Sequence, residues 1–257
     1  MKAKADDVEV KMSKEELIKL DIFAHRGVSA HYPENTIAAF QAAAELPIAG
    51  IELDVHLTAD REVVVVHDET IDRTSNGSGY VKDFTLQQLR KFDFGSWFSA
   101  QYENERIPTL GEVLELFAGT HHRINIELKT DVLAYEGIES LVLKEIATHQ
   151  MIERAIISSF NHESLQTVTQ IAPYIDIAPL FAEVLVDFTT YIALIPAKAL
   201  HVHVPTAFRK SIRVALDEGA IVRVYTVNNK EDARRLQQLG IQAIFTDDPA
   251  QMSEALR

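Results

Sequence analysis

After a polar leader, short apolar runs rich in β-branched residues alternate with longer segments of helical periodicity, and the alternation persists to the C-terminus. This βαβα rhythm constrains the fold more than any other feature of the chain, because it calls for a parallel sheet with helices packed on it. The expected strands are Ile22–Ala24, Gly50–Leu57, Ile124–Lys129, Ala155–Phe160, Ile175–Phe181, Ala199–Val204, Ile221–Val227 and Ala243–Thr246, with Val63–Val66 counted with the second. The expected helices are Glu34–Glu45, Leu110–Phe117, Tyr135–His149, His162–Ile171, Phe188–Ile195, Phe208–Glu218 and Lys230–Leu239. Eight βα units imply a closed (β/α)₈ TIM barrel, whose usual length of roughly 250 residues suits a chain of 257. The expectation is one domain over residues 1–257, with the barrel in 20–257. An open doubly wound sheet is the rival, yet it more often carries a glycine-rich first βα turn, and Phe23-Ala24-His25-Arg26-Gly27 has one glycine.

Residues 68–108 are too long for an ordinary connection and carry Thr74-Ser75-Asn76-Gly77-Ser78-Gly79, then the aromatics Phe92, Phe94, Trp97, Phe98 and Tyr102. They read as a small insertion after the second strand, over the barrel mouth. The aromatics either wall a substrate pocket or anchor the insertion to the barrel.

Composition narrows the chemistry. With 38 acidic against 25 basic residues and a net charge of −13, the surface field repels nucleic acid and anionic bilayers. The absence of cysteine excludes disulfides, thiolate catalysis and Cys-ligated metals. Residues 1–20 alternate in charge without the apolar run of a secretory signal, and no 18 apolar residues run together, so a cytoplasmic protein without a membrane span is expected. No sequence feature sets an oligomeric state.

In a strand, residues two apart share a face, so Glu52 and Asp54 project together while Ile51, Leu53 and Val55 take the opposite side. Glu127 and Lys129 repeat the arrangement between Ile126 and Leu128. Three converging carboxylates without cysteine suit one hard divalent cation, Mg²⁺ or Ca²⁺; the alternative is an inward salt-bridge network in which Arg26 and Lys129 pair the acids. His25 and His67 each end an apolar strand, and an imidazole of ordinary pKa about 6.5 exchanges protons in either direction near neutrality. His56 either adds a ligand or caps its strand; His201 reads as layer packing, while His203, nearer its strand end, can reach substrate. His121-His122 reads as a solvated loop at the barrel bottom, and Pro33-Glu34-Asn35-Thr36 as a helix opening for which capping suffices.

These residues resemble the glycerophosphodiester phosphodiesterase family along nearly the whole chain, from His25 to Pro249. His25-Arg26-Gly27, Pro33-Glu34-Asn35-Thr36, Glu52-Leu53-Asp54-Val55, Thr58-x-Asp60, Val66-His67-Asp68 and Asp72-Arg73-Thr74 with Gly77 and Gly79 fall in the family's order. So do Arg106-Ile107-Pro108-Thr109-Leu110, Glu127-Leu128-Lys129, Ser159-Phe160 and Thr246-Asp247-x-Pro249. The resemblance implies a (β/α)₈ barrel with a small insertion, a divalent cation on Glu52, Asp54 and Glu127, His25 and His67 as general base and acid, and Arg26 and Lys129 on the phosphate. Phe160, His203 and Tyr225 complete the expected substrate contacts. Where the family commonly has tryptophan, Tyr225 precedes Thr226-Val227-Asn228, keeping an apolar wall and adding a hydroxyl that bears on the alcohol group preferred. The implied reaction is metal-dependent hydrolysis of a glycerophosphodiester to sn-glycerol 3-phosphate and an alcohol. Rival classes are an isomerase or aldolase-like barrel acting on a sugar phosphate, and a catalytically silent binding protein.

Overall fold

The structure, a computed structural model, describes residues 19–257; the polar leader read over 1–20 lies, up to residue 18, outside them. Its strands are β1 (Asp21–His25), β2 (Gly50–Leu57), β3 (Val63–Val65), β4 (Arg123–Leu128), β5 (Ala155–Ser159), β6 (Asp176–Phe181), β7 (Ala199–His203), β8 (Ile221–Tyr225) and β9 (Ala243–Thr246). Eight of them pair in parallel around a ring that the β1–β2 and β1–β9 contacts close, which excludes the open sheet. β3 pairs antiparallel with β2 and extends it outside the ring.

Helices α1 (Ile37–Ala44), α2 (Leu86–Leu89), α3 (Leu110–Phe117), α4 (Ile138–Thr148), α5 (His162–Ile171), α6 (Phe188–Leu194), α7 (Val204–Ala207), α8 (Lys210–Asp217), α9 (Lys230–Gln238) and α10 (Pro249–Ala255) fill the connections. The main core lies between strands and helices, built from outward residues such as Ile51, Leu53, Val55, Ile126 and Leu128 against Phe40, Phe117, Val142 and Leu165. A smaller cluster of Phe23, Ile156, Ala178, Ala199, Ala243 and Phe245 fills the barrel interior. Below the mouth the interior turns polar: Arg123 and Arg223 both reach Asp176 at 2.8 and 2.9 Å, and Arg223 bonds to His201 at 3.2 Å. His201 is a packed layer residue, and burial holds its imidazole well below its usual pKa. Among the described residues no helix is long and apolar enough to cross a membrane.

Three local readings change. The helix expected over Phe208–Glu218 is α7 and α8, broken at Phe208-Arg209; Pro205 in the first turn of α7 starts it at Val204, ending the strand one residue early. α10, which periodicity did not reveal, is opened by Asp248, whose carboxylate accepts from Gln251 N at 2.9 Å, with Pro249 following. His122 is buried rather than solvated: its Nε2 donates to Leu46 O at 3.0 Å and its ring stacks on His121 at 4.3 Å.

The long segment between β3 and α3 builds its own apolar cluster, Ile71, Val81, Leu89, Phe94 and Ile107, on Val64 and Val66. Trp97, Phe98 and Tyr102 follow in edge contacts, Tyr102 packs at a tilt on Tyr32, and the Tyr102 hydroxyl donates to His31 O at 3.2 Å. The aromatics therefore anchor the segment. The motif Thr58-x-Asp60 also serves this purpose, since Asp60 accepts from Thr58 Oγ1 at 2.6 Å and from Leu86 N at 3.0 Å.

Candidate active site

Strand register assembles the carboxylates. Asp54 pairs across from Glu127 and His25 from Glu52, so residues of three adjacent strands meet at one level near the C-terminal strand ends. Glu52, Asp54 and Glu127 each offer an oxygen, all within 4.8 Å of one another and all buried. Burial and the neighbouring carboxylates push Glu52 well above the usual carboxylate range, and burial with Asp54 beside it pushes Glu127 up to about 7. Burial also acts against Asp54, but Arg26, with Nε 3.2 Å from Oδ2, and then His67 and Lys129 outweigh it and hold this carboxyl below the usual range.

Two basic side chains serve the cluster. Lys129 Nζ donates to Glu127 Oε1 at 2.9 Å, and Arg26, already at Asp54, also donates through Nη1 to Glu34 Oε1 at 2.9 Å. An all-salt-bridge reading leaves a deficit: three carboxylates face two cations, one of them shared with Glu34. Burial first, and then the incompletely neutralised neighbouring carboxylates, raise Glu52 and Glu127, and three converging oxygen donors fit a hard divalent cation.

Each candidate histidine is built the same way. His25 Nδ1 lies 2.7 Å from Asp247 Oδ1, and His67 Nδ1 lies 2.6 Å from Asp68 Oδ1. Both aspartates are partly buried, which raises them, but hydrogen bonds outweigh burial and bring each down to about 2: those of Arg73 and His67 at Asp68, chiefly that of His25 at Asp247. Ionised carboxylates only accept, so each Nδ1 carries the proton and each Nε2 is left for the site. His25 Nε2 sits 3.9 Å from Glu52 Oε2, and His67 Nε2 sits 3.4 Å from Lys129 Nζ.

The His25-Arg26-Gly27 turn explains its glycine. Gly27 has φ +81°, and a Cβ there would lie 2.7 Å from the backbone carbon of Ala39 in α1. Gly27→Ala is expected to cost roughly 2–4 kcal/mol through left-handed strain and overpacking, lowering Tm by roughly 10 °C in a thermal melt. An unchanged Tm would contradict this.

Pro33-Glu34-Asn35-Thr36 does more than cap. Thr36 caps α1, accepting from Ala39 N at 3.3 Å, whereas Glu34 binds Arg26 and Asn35 Nδ2 donates to Asp54 Oδ2 at 2.9 Å. His56 is neither ligand nor strand cap. It is fully buried, its Nε2 donates to the His67 carbonyl at 3.0 Å, and its Nδ1 lies 2.9 Å from the Tyr135 hydroxyl. Phe160, His203 and Tyr225 form one aromatic wall: Tyr225 contacts Phe160 edge-on at 6.1 Å and His203 at 5.8 Å, and Lys129 Nζ stands 6.0 Å over Phe160. The hydroxyl that distinguishes Tyr225 from tryptophan is occupied, donating to Phe181 O at 2.9 Å.

Asp247 and Asp68, for which the sequence suggests no role, and Glu34 and Asn35, expected only to open a helix, thus join the site. Their motifs were visible, but His25 and its partner Asp247 are 222 residues apart, and only the β1–β9 seam brings them together.

The chain is similar to known proteins over most of its length. The model of the glycerophosphoryl diester phosphodiesterase family matches residues 25–251. The glycerophosphodiester phosphodiesterase of Caldanaerobacter subterraneus is 43% identical over 240 residues, covering 93% of this chain and 99% of that protein. That of Bacillus altitudinis is 40% identical over 231 residues, with coverages of 89% and 94%. An Oleispira antarctica phosphodiesterase, solved in complex with the product sn-glycerol-3-phosphate, is similar at a TM-score of 0.86 and 28% identity, covering 92% of this chain and 96% of that one. By the family match and by these relatives, the chain belongs to the glycerophosphoryl diester phosphodiesterase family and is an enzyme of that class.

Proposed function

We propose that the chain hydrolyses glycerophosphodiesters to sn-glycerol 3-phosphate and an alcohol such as choline or ethanolamine. Glu52, Asp54 and Glu127 hold one divalent cation, Mg²⁺ or Ca²⁺, and His25 and His67 exchange the protons. The observation that carries this reading is the pair of carboxylate-oriented imidazoles at one buried cluster of three carboxylates. When bound, the cation supplies Lewis acidity at a nonbridging phosphate oxygen and a template for the glycerol hydroxyls.

The residues of the chain do the rest. Arg26 and Lys129 meet the negative charge that builds on the phosphoryl oxygens. Nε2 of one histidine takes the proton of the nucleophile, water or the glycerol 2-hydroxyl, and Nε2 of the other protonates the departing alkoxide; where the 2-hydroxyl attacks, the cyclic phosphate it forms is opened by water, the same two imidazoles exchanging the protons in reverse roles. Asp247 and Asp68 fix the Nδ1–H tautomer of each ring, so both exchangeable positions face inward. Phe160, His203 and Tyr225 form the wall on which glycerol packs, and with its hydroxyl tied to Phe181 O, Tyr225 offers substrate only its ring.

A panel of glycerophosphodiesters assayed with Mg²⁺, Ca²⁺ and Mn²⁺ tests the reading. Equal amounts of sn-glycerol 3-phosphate and alcohol are expected from glycerophosphocholine or glycerophosphoethanolamine. Binding without turnover would favour a silent binding protein, and turnover of sugar phosphates alone would favour an isomerase or aldolase.

A further inference from the structure

The motif Asp72-Arg73-Thr74 belongs to the segment between β3 and α3, outside the strands that carry the site. Its backbone is pinned on both sides of Arg73. Ile71 is fully buried in the apolar cluster of the segment. Asp72 accepts from Ser78 Oγ at 2.7 Å and Gly79 N at 3.0 Å, closing a turn, and Ser75 Oγ donates to Ile71 O at 2.6 Å.

From this support the guanidinium makes two sets of bonds. Nη1 and Nη2 each reach a different oxygen of Glu34 at 2.8 Å. Nε donates to Asp68 Oδ2 at 2.7 Å and Nη2 to Asp68 Oδ1 at 3.1 Å. Asp68 Oδ1 is the same atom that accepts from His67 Nδ1. A lone aspartate carboxylate rotates broadly about its last torsion and sets a partner ring only loosely. Two bonds from one planar guanidinium fix the carboxylate plane, and with it the orientation of the imidazole.

We propose that Arg73 is a positioning residue: from the β3–α3 segment it locks the Asp68 carboxylate against Glu34 and so holds His67 Nε2 aimed into the site. This inference rests on His67 being a proton-transfer residue. Among the described residues, Arg73 makes no hydrogen bond to Glu52, Asp54 or Glu127, and its side chain is 44% exposed, so its loss leaves the carboxylate cluster and the core intact. Arg26 keeps its contact with Asp54 when Arg73 is removed.

The test compares Arg73→Ala, Arg73→Lys, Asp68→Asn and the double variant Arg73→Ala/Asp68→Asn with the intact enzyme on glycerophosphocholine at saturating divalent cation. Arg73→Ala is expected to lower kcat by about 10–100-fold, the range seen when an orienting partner of a site residue is lost, with KM within about threefold. Lysine, a point charge without the fork, is expected to stay within about threefold of alanine. The double variant is expected to be no worse than Asp68→Asn alone, because both substitutions remove one linkage.

The inference is overturned by wild-type kcat in Arg73→Ala, by full rescue with lysine, by a rise in KM at unchanged kcat, or by losses that multiply in the double variant. A Tm more than about 10 °C below that of the intact enzyme in both Arg73 variants would make the residue structural and also overturn it, since an exposed ion pair alone contributes about 0–1 kcal/mol. Failure of the intact enzyme to cleave the diester is a separate result, and it counts against the proposed activity.

Discussion

Replacing His67 by alanine is expected to lower kcat on glycerophosphocholine by about 10²–10⁴-fold, the range contributed by one positioned acid or base, while Tm moves by no more than about 3 °C. The two halves of that expectation have different structural sources. The imidazole side chain is 31% exposed at the mouth, bonded through Nδ1 to Asp68 and facing Lys129 through Nε2, so truncation empties little of the core. The backbone of the residue stays in place, because its carbonyl still accepts from the buried His56, which the Tyr135 hydroxyl supports. Asp68 keeps Arg73 and is not stranded. Wild-type turnover by the alanine variant would sink the acid–base assignment; a large fall in Tm would mean that the ring holds the structure rather than the proton.

Exhaustive chelation is expected to reduce turnover to background, with recovery on adding Mg²⁺ or Ca²⁺, and the same site predicts a pH signature that does not depend on activity. Glu127 is pushed up to about 7 and Glu52 well above its usual range by burial and by neighbouring carboxylates. Between the unfolded glutamate value of about 4.3 and the raised folded value, the folded chain binds more protons than the unfolded one. Linkage then makes the stability of the metal-free protein fall as pH rises through that window. A divalent cation binds the ionised carboxylates, so the stabilisation it confers grows over the same interval. At a free-ion concentration one hundred times Kd the gain is about 2.7 kcal/mol, or roughly 5–10 °C in Tm. The cation-induced rise is therefore expected to be larger at pH 8 than at pH 5 and to be lost in Glu127→Gln. Full activity after EDTA, or a rise in Tm indifferent to pH and to Glu127→Gln, would remove the metal from the reading.

Much of this was legible along the chain because it depends on local periodicity. Glu52, Asp54 and Glu127 fall on the inward parity of strands whose other face is unbroken hydrophobe, and the register in which β2 and β4 pair then sets Asp54 beside Glu127. The eight-fold βα alternation carried the barrel, and β2, α3, α5 and β9 lie at the bounds expected for them. Parity failed at His56. It shares the face of Glu52 and Asp54, yet at the top of β2 the antiparallel partner β3 and Tyr135 enclose it, and its ring goes to the His67 backbone instead of the carboxylates. Capping logic likewise accounted for Thr36 but could not tell Glu34 and Asn35 from ordinary first-turn residues, since Arg73 and Asp54 lie on other elements and Arg26 meets Glu34 only through the irregular fold of the β1–α1 connection.

The sequence by itself determined the strand and helix alternation, the inward set of acids and the histidines at strand ends, since each follows from neighbours within a few residues. Only the tertiary structure decided what orients those histidines. Closing the ring sets β9 beside β1 and so Asp247 against His25, and the packing of the β3–α3 segment sets Arg73 against Asp68 and Glu34. The Asp247–His25 and Arg73–Glu34 contacts join groups 222 and 39 residues apart, and even Arg73 and Asp68, five residues apart, meet through a loop with no local periodicity; all of them exist only after apolar burial has ordered the backbone on both sides.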